Sequence, residues 1–267
     1  MAKMYNMEHE KRGIALVINI RSFDAPNQHK ERVWSMKDVE NLKTTLEYLE
    51  FDLKFCENLK ANEIRDEIQK IAELDHTDSD CFLCVVMSHG IDDKIVASDS
   101  EEISLNEIMQ PIKSSCQSLE NKPKLFFFQA CRGKKEMVQL VRPDSGITKT
   151  NKNIPYETTN KTTTLDQSTK KEIESNFTKV EAESDLLVYY ATLPEHYAFG
   201  NKTNEGTIFI ESVCTELTEA YKHLPNNILL SGMILNINKR VRESGLELAD
   251  PINRLVADVN FTPKNVS

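Results

Sequence analysis

Three short runs of nearly uninterrupted apolar residues constrain the fold of this chain most. They occupy residues 14–20, 81–87 and 125–129. Runs of this length that lack a polar face are typical of strands buried on both sides of a sheet. Other elements of the chain must therefore cover both faces of that sheet.

Segments with helical spacing separate these strands. Apolar residues recur every three to four positions around residues 39–49, 64–71, 210–217 and 230–241. Further strands are predicted at residues 51–55, 186–191 and 252–259. Ser35 and Asp38 resemble a capping box at the start of the first helix. The alternation of strands and helices predicts an α/β fold with a mainly parallel sheet and helices on both faces.

The net charge of the chain limits the kinds of partner that it is expected to bind. The 267 residues include 33 basic and 42 acidic side chains, for a net charge of −9. A net acid is a poor partner for nucleic acid or for an anionic membrane surface. No apolar run reaches the roughly 18 residues of a membrane span, and residues 1–12 lack the apolar core of a secretory signal. We therefore expect a cytoplasmic protein whose six cysteines are reduced thiols.

Two of the predicted strands end at residue types used in nucleophilic catalysis. His89 and Gly90 follow the second apolar run, and Cys131 follows the third. A cysteine nucleophile needs a base to take its proton, and histidine is the usual base. A neighbouring glycine lets backbone N–H groups approach an oxyanion. Either side chain alone is more often structural, but both follow strand ends, where the active sites of open α/β sheets lie.

The sequence around these residues resembles the caspase family. Residues 129–133, Gln-Ala-Cys-Arg-Gly, match its signature, in which a histidine lies about 50 residues upstream of the cysteine. Here His89 lies 42 residues upstream of Cys131. Residues 12–16, 76–81, 88–90 and 122–127 also match, so the similarity covers nearly the whole chain. This resemblance implies the caspase fold, with a mainly parallel six-stranded sheet.

The resemblance also implies roles for individual residues. Cys131 is the expected nucleophile, His89 the expected base, and the amides of Gly90 and Cys131 the expected oxyanion hole. In caspases two arginines and a glutamine hold the P1 aspartate of the substrate. Arg32 matches the first arginine and Gln129 matches the glutamine. No cofactor and no metal are implied.

The second P1-binding arginine of the family is missing. Gly200 stands at its position, within a segment where Tyr197, Phe199 and Asn201 are expected to bind substrate. Trp34 replaces a family glycine near the retained arginine and is bulky enough to displace it. Removing one partner of a buried charge pair typically costs about 2–5 kcal/mol. We therefore expect weak activity on Asp substrates or another P1 preference.

The family pattern divides the chain into regions of one caspase domain. These are a short prodomain at residues 1–11, a large-subunit-like region at 12–141, a polar linker at 142–179 and a small-subunit-like region at 180–267. In the family the linker is cut after aspartate during activation. Asp144 and Asp166 are the candidate processing sites.

Two functions remain open at this point. The first is a cytoplasmic cysteine endopeptidase, made as a dimeric zymogen, that cleaves protein substrates in apoptosis. The second is a weak or inactive homologue that forms a heterodimer with an active caspase and regulates it. A nucleotide-binding domain is not favoured, because residues 20–30 contain no glycine for a phosphate loop. Cys81 and Cys84 are not expected to bind a metal together, since positions i and i+3 of a strand face opposite sides.

Overall fold

The main sheet contains six strands in this computed structural model. The structure describes residues 3–25, 29–135, 184–198, 206–223, 229–245, 247–261 and 263–264. All of these residues belong to one compact unit, formed by residues 1–137 and 183–267.

Eleven strands and five helices lie within the described residues. The strands are β1 (Ile14–Asn19), β2 (Asp52–Glu57), β3 (Phe82–Met87), β4 (Gly90–Ile91), β5 (Lys94–Val96), β6 (Glu102–Ser104), β7 (Lys124–Gln129), β8 (Gly133–Lys135), β9 (Leu186–Tyr190), β10 (Glu195–His196) and β11 (Asp250–Asn253). The helices are α1 (Ser35–Tyr48), α2 (Ala61–Ala72), α3 (Leu105–Ser114), α4 (Ile208–His223) and α5 (Leu230–Glu243).

The main sheet has the strand order β11-β9-β7-β3-β1-β2. Neighbouring strands pair in parallel except β11, which runs antiparallel to β9 at one edge. This arrangement confirms the predicted fold class.

Both faces of this sheet are buried, as the apolar runs predicted. In β3, Leu83 and Val85 face a core covered by α1, α4 and α5, whereas Cys84 and Val86 face a core covered by α2 and α3. Cys81 lies in the first core and Cys84 in the second, so these two thiols are on opposite sides of the sheet. Each fully buried aliphatic side chain of this kind contributes about 1.5–3 kcal/mol of apolar stabilisation.

Three local features differ from the sequence-based predictions. Ser35 and Asp38 do not form a capping box, because both side chains are buried and the cap of α1 falls on Trp34 without a side-chain hydrogen bond. The last strand is β11, which is shorter than the predicted 252–259 and begins earlier. Helix α3 was not predicted, although Ser104 caps it by accepting a hydrogen bond from Glu107 N at 3.1 Å.

Two small sheets beside the main one were also not predicted. Strands β4, β5 and β6 form an antiparallel sheet, and β8 pairs with β10. Both small sheets begin just past the ends of β3 or β7, so they shape the surroundings of residues 88–91 and 131–135.

Residues 3–12 form what we call the N-terminal clasp, together with Asp80, Asp185 and Lys264. Tyr5 donates its hydroxyl hydrogen to Asp185 Oδ1 at 2.6 Å. Lys264 Nζ donates to the carbonyls of residues 7 and 9 at 3.0 and 2.8 Å and pairs with the buried Asp80. Asp80 also pairs with the buried Arg12 at 3.0 Å. The clasp therefore joins residues that precede β8 to residues that follow it, at the edge where β1 begins.

Within the described residues, none of the helices combines the length and the apolar character that crossing a membrane requires.

Candidate active site

The ends of β3 and β7 bring His89 and Cys131 to the same edge of the sheet. The two strands are parallel neighbours in register, with Met87 opposite Gln129. The ladder continues for one more residue, because Ser88 N donates to the Gln129 carbonyl at 3.2 Å. His89 and Cys131 each stand two residues beyond that registered pair. The sequence-based placement of these two residues at neighbouring strand ends is therefore observed.

Gly90 fits between the two strand ends only because it has no side chain. A Cβ atom at this position would lie 2.6 Å from the Cys131 carbonyl oxygen and 2.7 Å from the Lys94 carbonyl oxygen. Real Cβ atoms do not approach backbone oxygens so closely. Gly90 therefore allows the backbone of the His89 loop to lie directly against that of Cys131.

One nitrogen of His89 is fixed by the backbone. The Nε2 atom lies 2.7 Å from the carbonyl oxygen of Lys30 and donates to it when it carries the proton. The other ring nitrogen, Nδ1, then remains free to accept a proton from a nucleophile. Burial lowers the pKa of His89, and the hydrogen bond to the carbonyl opposes that shift. At neutral pH the ring is thus the neutral base that proton abstraction requires.

Cys131 interacts with the backbone of Ala198. Its thiol donates to the Ala198 carbonyl at 3.6 Å, and Ala198 N donates to the sulfur at 3.4 Å. Burial raises the pKa of Cys131, while the Ala198 hydrogen bond and the charge of Arg32 lower it. No hydrogen bond joins the described side chains of Cys131 and His89 in this conformation. Cys131 is therefore a neutral thiol in this conformation.

Arg32 lies buried behind the nucleophile, despite the bulk of Trp34. Its Nη1 donates to the Ile20 carbonyl at 2.9 Å and to Asn19 Oδ1 at 3.2 Å. Burial lowers the pKa of Arg32 to about 10, which still leaves it charged at neutral pH. Its charge acts on Cys131. A guanidinium in this place can attract an acidic group brought to the nucleophile.

Gln129 is buried as the last residue of β7. Its Oε1 atom is enclosed and has no hydrogen-bond partner in the described part of the chain. A buried polar atom left unpaired costs free energy, so this oxygen is available to accept a hydrogen bond from a donor group of a ligand. Tyr197 lies on the segment that reaches Cys131 through Ala198, and its ring is exposed. Phe199, Gly200 and Asn201, together with Asp144 and Asp166, lie outside the described residues.

Comparison with known proteins decides the family. The Caspase domain family matches residues 12–252. The chain belongs to the caspase family. Two similar relatives are Caspase-1 of Spodoptera frugiperda and Caspase drICE of Drosophila melanogaster, each 33% identical over 82% and 86% of this chain. The chain spans only 65% and 61% of the length of these two relatives.

A solved structure supports the same assignment. The crystal structure of Caspase-1 from Spodoptera frugiperda matches with a TM-score of 0.76 and 26% identity, covering 98% of this chain and 96% of that one. The resemblance that residues 129–133 indicated is thereby confirmed, and this caspase is a member of a family of cysteine-type peptidases.

Asp38 contributes to the site of this caspase in a way that the sequence did not reveal. The carboxylate is fully buried, and its Oδ1 accepts a hydrogen bond from Thr207 N at 2.7 Å. Gly206 makes room for it, since a Cβ there would lie 2.5 Å from that oxygen. Burial raises the pKa of Asp38 to about 7, and the charge of Arg32 opposes that shift. Asp38 thus holds the start of α4 by a hydrogen bond and interacts with Arg32 only through its charge.

Arg132 anchors the backbone after Cys131 to two strands and a turn of this caspase. Its Nε donates to Asp93 Oδ1 at 2.7 Å, and its Nη1 donates to Asp250 Oδ2 at 2.8 Å. Its guanidinium also lies over the ring of Tyr190, 3.9 Å from the centroid. These contacts fix the backbone directly after Cys131.

Proposed function

We propose that this caspase-family chain is a cytoplasmic cysteine endopeptidase that cleaves protein substrates after aspartate in apoptosis. One observation carries the proposal. His89 and Cys131 each follow the registered ends of β3 and β7 by two residues, and Gly90 packs directly against the Cys131 backbone. Histidine next to cysteine at such an edge supports acyl transfer.

The proposed reaction proceeds in two halves. The Cys131 thiol gives its proton to His89 Nδ1, and the sulfur attacks the carbonyl carbon of the scissile peptide bond. The amides of Gly90 and Cys131 donate hydrogen bonds to the oxyanion that forms. His89 then returns the proton to the departing amine, which leaves a thioester on Cys131. In the second half His89 takes a proton from water, the hydroxide attacks the thioester, and the carboxylic acid and the free thiol are released.

The resting contacts must change for this reaction to occur. The thiol now interacts with Ala198, so it has to turn from that backbone toward His89. A substrate strand that pairs with the 197–198 segment would compete for the same backbone groups. Substrate binding thus provides the free energy for the rearrangement.

Recognition of the P1 residue is the weak part of the proposed enzyme. Arg32 supplies a buried positive charge that suits an aspartate carboxylate, and the Nε2 group of Gln129 is the amide donor that such a carboxylate would need. Gly200 supplies no charge where the family has a second arginine. We therefore expect cleavage after aspartate at a rate lowered by roughly 30-fold to several thousand-fold, since such a charge partner is worth about 2–5 kcal/mol.

A second function is favoured by the missing second arginine and by the contact of the Cys131 thiol with Ala198. A homologue with a damaged P1 pocket and a capped Cys131 suits a regulator that pairs with an active caspase. In either case we propose dimerisation, with itself or with another caspase, and activation of a zymogen by cutting within residues 142–179 at Asp144 or Asp166.

A peptide library varied at P1 tests the two functions against each other. The purified chain is assayed intact and after cutting at Asp144 or Asp166, with Cys131→Ala as the matched control. Cleavage after aspartate that disappears in the control supports the enzyme. A Gly200→Arg variant should raise that rate by at least 30-fold if the pocket alone limits it. Absence of Cys131-dependent cleavage in both forms and in the Gly200→Arg variant would reject the enzyme in favour of the regulator.

A further inference from the structure

A second histidine lies beside the proposed catalytic base. The ring centroids of His29 and His89 are 5.8 Å apart, and their planes differ by 31°. Phe23 packs against both rings, with centroids 5.5 Å from His29 and 5.0 Å from His89. Because Phe23 is buried, the three rings form a cluster supported by the body of the protein. We call it the three-ring cluster.

The segment that carries His29 supplies three groups to the site. The His29 ring faces His89, the Lys30 carbonyl accepts a hydrogen bond from His89 Nε2 at 2.7 Å, and Arg32 lies behind Cys131. The segment is held in place because His29 N donates to the Ala25 carbonyl at 3.1 Å. The position of His29 is therefore coupled to the bond that orients the base.

The charged and titratable groups around His89 come from two parts of the fold. His29 and Arg32 belong to the segment between β1 and α1, and Cys131 follows β7. Glu31 of the same segment is paired with Arg21 at 2.7 Å and does not neutralise the histidines. The charges of Arg32 and His29 both lower the pKa of His89, after the larger effect of burial. No carboxylate acts on His89 with a comparable effect among these described groups.

We propose that His29 is a positioning residue that controls, through its charge, the pH at which His89 can serve as the base. Two imidazolium rings at this distance repel each other, so a positive charge on His29 opposes the uptake of a proton by His89. A protonated His29 also disfavours the imidazolium form of His89 that must accompany a Cys131 thiolate. The inference rests on the proposed function for its catalytic meaning, but not for its electrostatics.

The test uses a pair of variants that separates charge from shape. His29→Gln removes the charge and keeps a polar side chain of similar length, whereas His29→Lys makes the charge permanent. NMR titration of the histidine ring protons in the intact chain measures the protonation of His89 directly. In parallel, the rate at which iodoacetamide alkylates Cys131, followed by mass spectrometry of its peptide, measures thiolate formation against pH. His9→Gln is the matched control, since His9 is partly exposed at the opposite end of β1.

The expected results differ between the two variants, because only His29→Gln removes the positive charge. His29→Gln should raise the midpoint of the His89 titration by about half a pH unit to one unit. His29→Lys should leave that midpoint at or below the wild-type value. In about 1 M salt, where the screening length falls to roughly 3 Å, the difference between the variants should shrink. His9→Gln should change nothing.

Two outcomes would overturn the inference. One is a shift of the same sign in both variants, which would indicate a purely steric role. The other is no shift in either variant. Because the titration and the alkylation require no substrate, a chain that cleaves no peptide still gives a clear answer. The failure of the proposed function and the failure of the His29 inference are therefore distinguishable.

Discussion

At the scale of single residues, burial shifts the protonation of two groups behind Cys131, Asp38 and Arg32. Asp38 is excluded from water and has one carboxylate oxygen without a partner among the described residues. Arg32 is buried nearby and is satisfied by Asn19 and the Ile20 carbonyl rather than by Asp38. The carboxylate is therefore protonated in the folded state at a pH where it would be ionised in the unfolded chain.

Asp38→Asn should change how stability depends on pH. The unfolded chain releases the Asp38 proton near pH 4, whereas the folded protein retains it until about pH 7. The folded state binds more protons between these values, so this residue makes wild-type stability fall as pH rises through that window. Asn can still accept the hydrogen bond from Thr207 N. We therefore expect urea unfolding to show that the free energy of unfolding of the variant, relative to wild type, is higher at pH 8 than at pH 5 by up to a few kcal/mol.

The opposite trend in that comparison would mean that the ionised carboxylate is stabilised by the arginine. An Asp75→Asn variant is a suitable control, because Asp75 is exposed and lies away from the site.

Gly90→Ala should disrupt the site, because the new methyl group would meet two backbone oxygens at 2.6 and 2.7 Å. We expect a loss of about 1–3 kcal/mol of stability and at least 10-fold lower Cys131-dependent turnover. Gly232→Ala is the matched control within α5, where nothing lies within 4 Å of the added Cβ. That variant should gain about 0.5–1 kcal/mol, as alanine favours a helix over glycine. Equal thermal denaturation curves for the two variants would contradict the close approach at Gly90.

Sequence reasoning located single residues well when a motif contained them. His89, Gly90 and Cys131 follow strand ends, and register then brings them together. Asp38 escaped that reasoning because Thr207 is its partner, 169 positions along the chain. Local spacing made Asp38 resemble a capping residue, and only the folded chain shows that its carboxylate serves α4 instead.

At the scale of elements, Arg132 connects the nucleophile loop to parts of the sheet that form far apart in the chain. It bonds the turn between β4 and β5 through Asp93, reaches β11 through Asp250 and covers the Tyr190 ring of β9. The backbone after Cys131 is thereby tied to both sides of the site.

Arg132→Met should remove the hydrogen bonds that connect these elements while it retains an apolar side chain of similar length. The loss of two charge-assisted hydrogen bonds should cost about 1–3 kcal/mol of stability and lower the alkylation rate of Cys131. A double-mutant cycle with Asp250→Asn checks the cause, because the two losses should not add. Full additivity in that cycle would show that the Arg132–Asp250 contact contributes nothing.

Elements with strong periodicity were predictable, and weakly patterned ones were not. The runs in β1, β3 and β7 are apolar on both faces, which only a buried parallel strand explains. The edge strand β11 has no such run, and its register with β9 places Pro251 opposite Tyr189. A proline at an edge strand costs no ladder bond when its missing N–H faces away from the sheet. Nothing in local pattern shows that the pairing ends at Asn253.

At the scale of the whole molecule, the N-terminal clasp connects the region of the chain before β8 to the region after it. Tyr5 donates to the buried Asp185, and Val256 N donates to the Tyr5 hydroxyl at 3.0 Å. Lys264 bonds carbonyls of the clasp from the other region. Strand β9 adds a second connection, since it pairs with β7 over five registered residues.

Tyr5→Phe should weaken that connection selectively. The substitution leaves a buried carboxylate oxygen and a backbone N–H without their partner, at a cost of about 1–3 kcal/mol. We expect lower thermal stability of the intact chain and a larger loss of association after the chain is cut within residues 142–179. Analytical ultracentrifugation of the cut protein measures that association, and Tyr48→Phe is a control at an exposed tyrosine. An unchanged association constant would show that the clasp does not hold the two pieces.

The pairing of β7 with β9 has a consequence for a cut molecule. While the chain is continuous, β7 and β9 belong to one molecule, so each strand is at a high effective concentration for the other. After a single cut, the two pieces are separate molecules. Their association through the same strand ladder then depends on their affinity and on the protein concentration. The state of the cut protein would thus depend on its concentration. At high concentration its sheet stays intact, and at low concentration it loses β9 and the Ala198 segment beside Cys131.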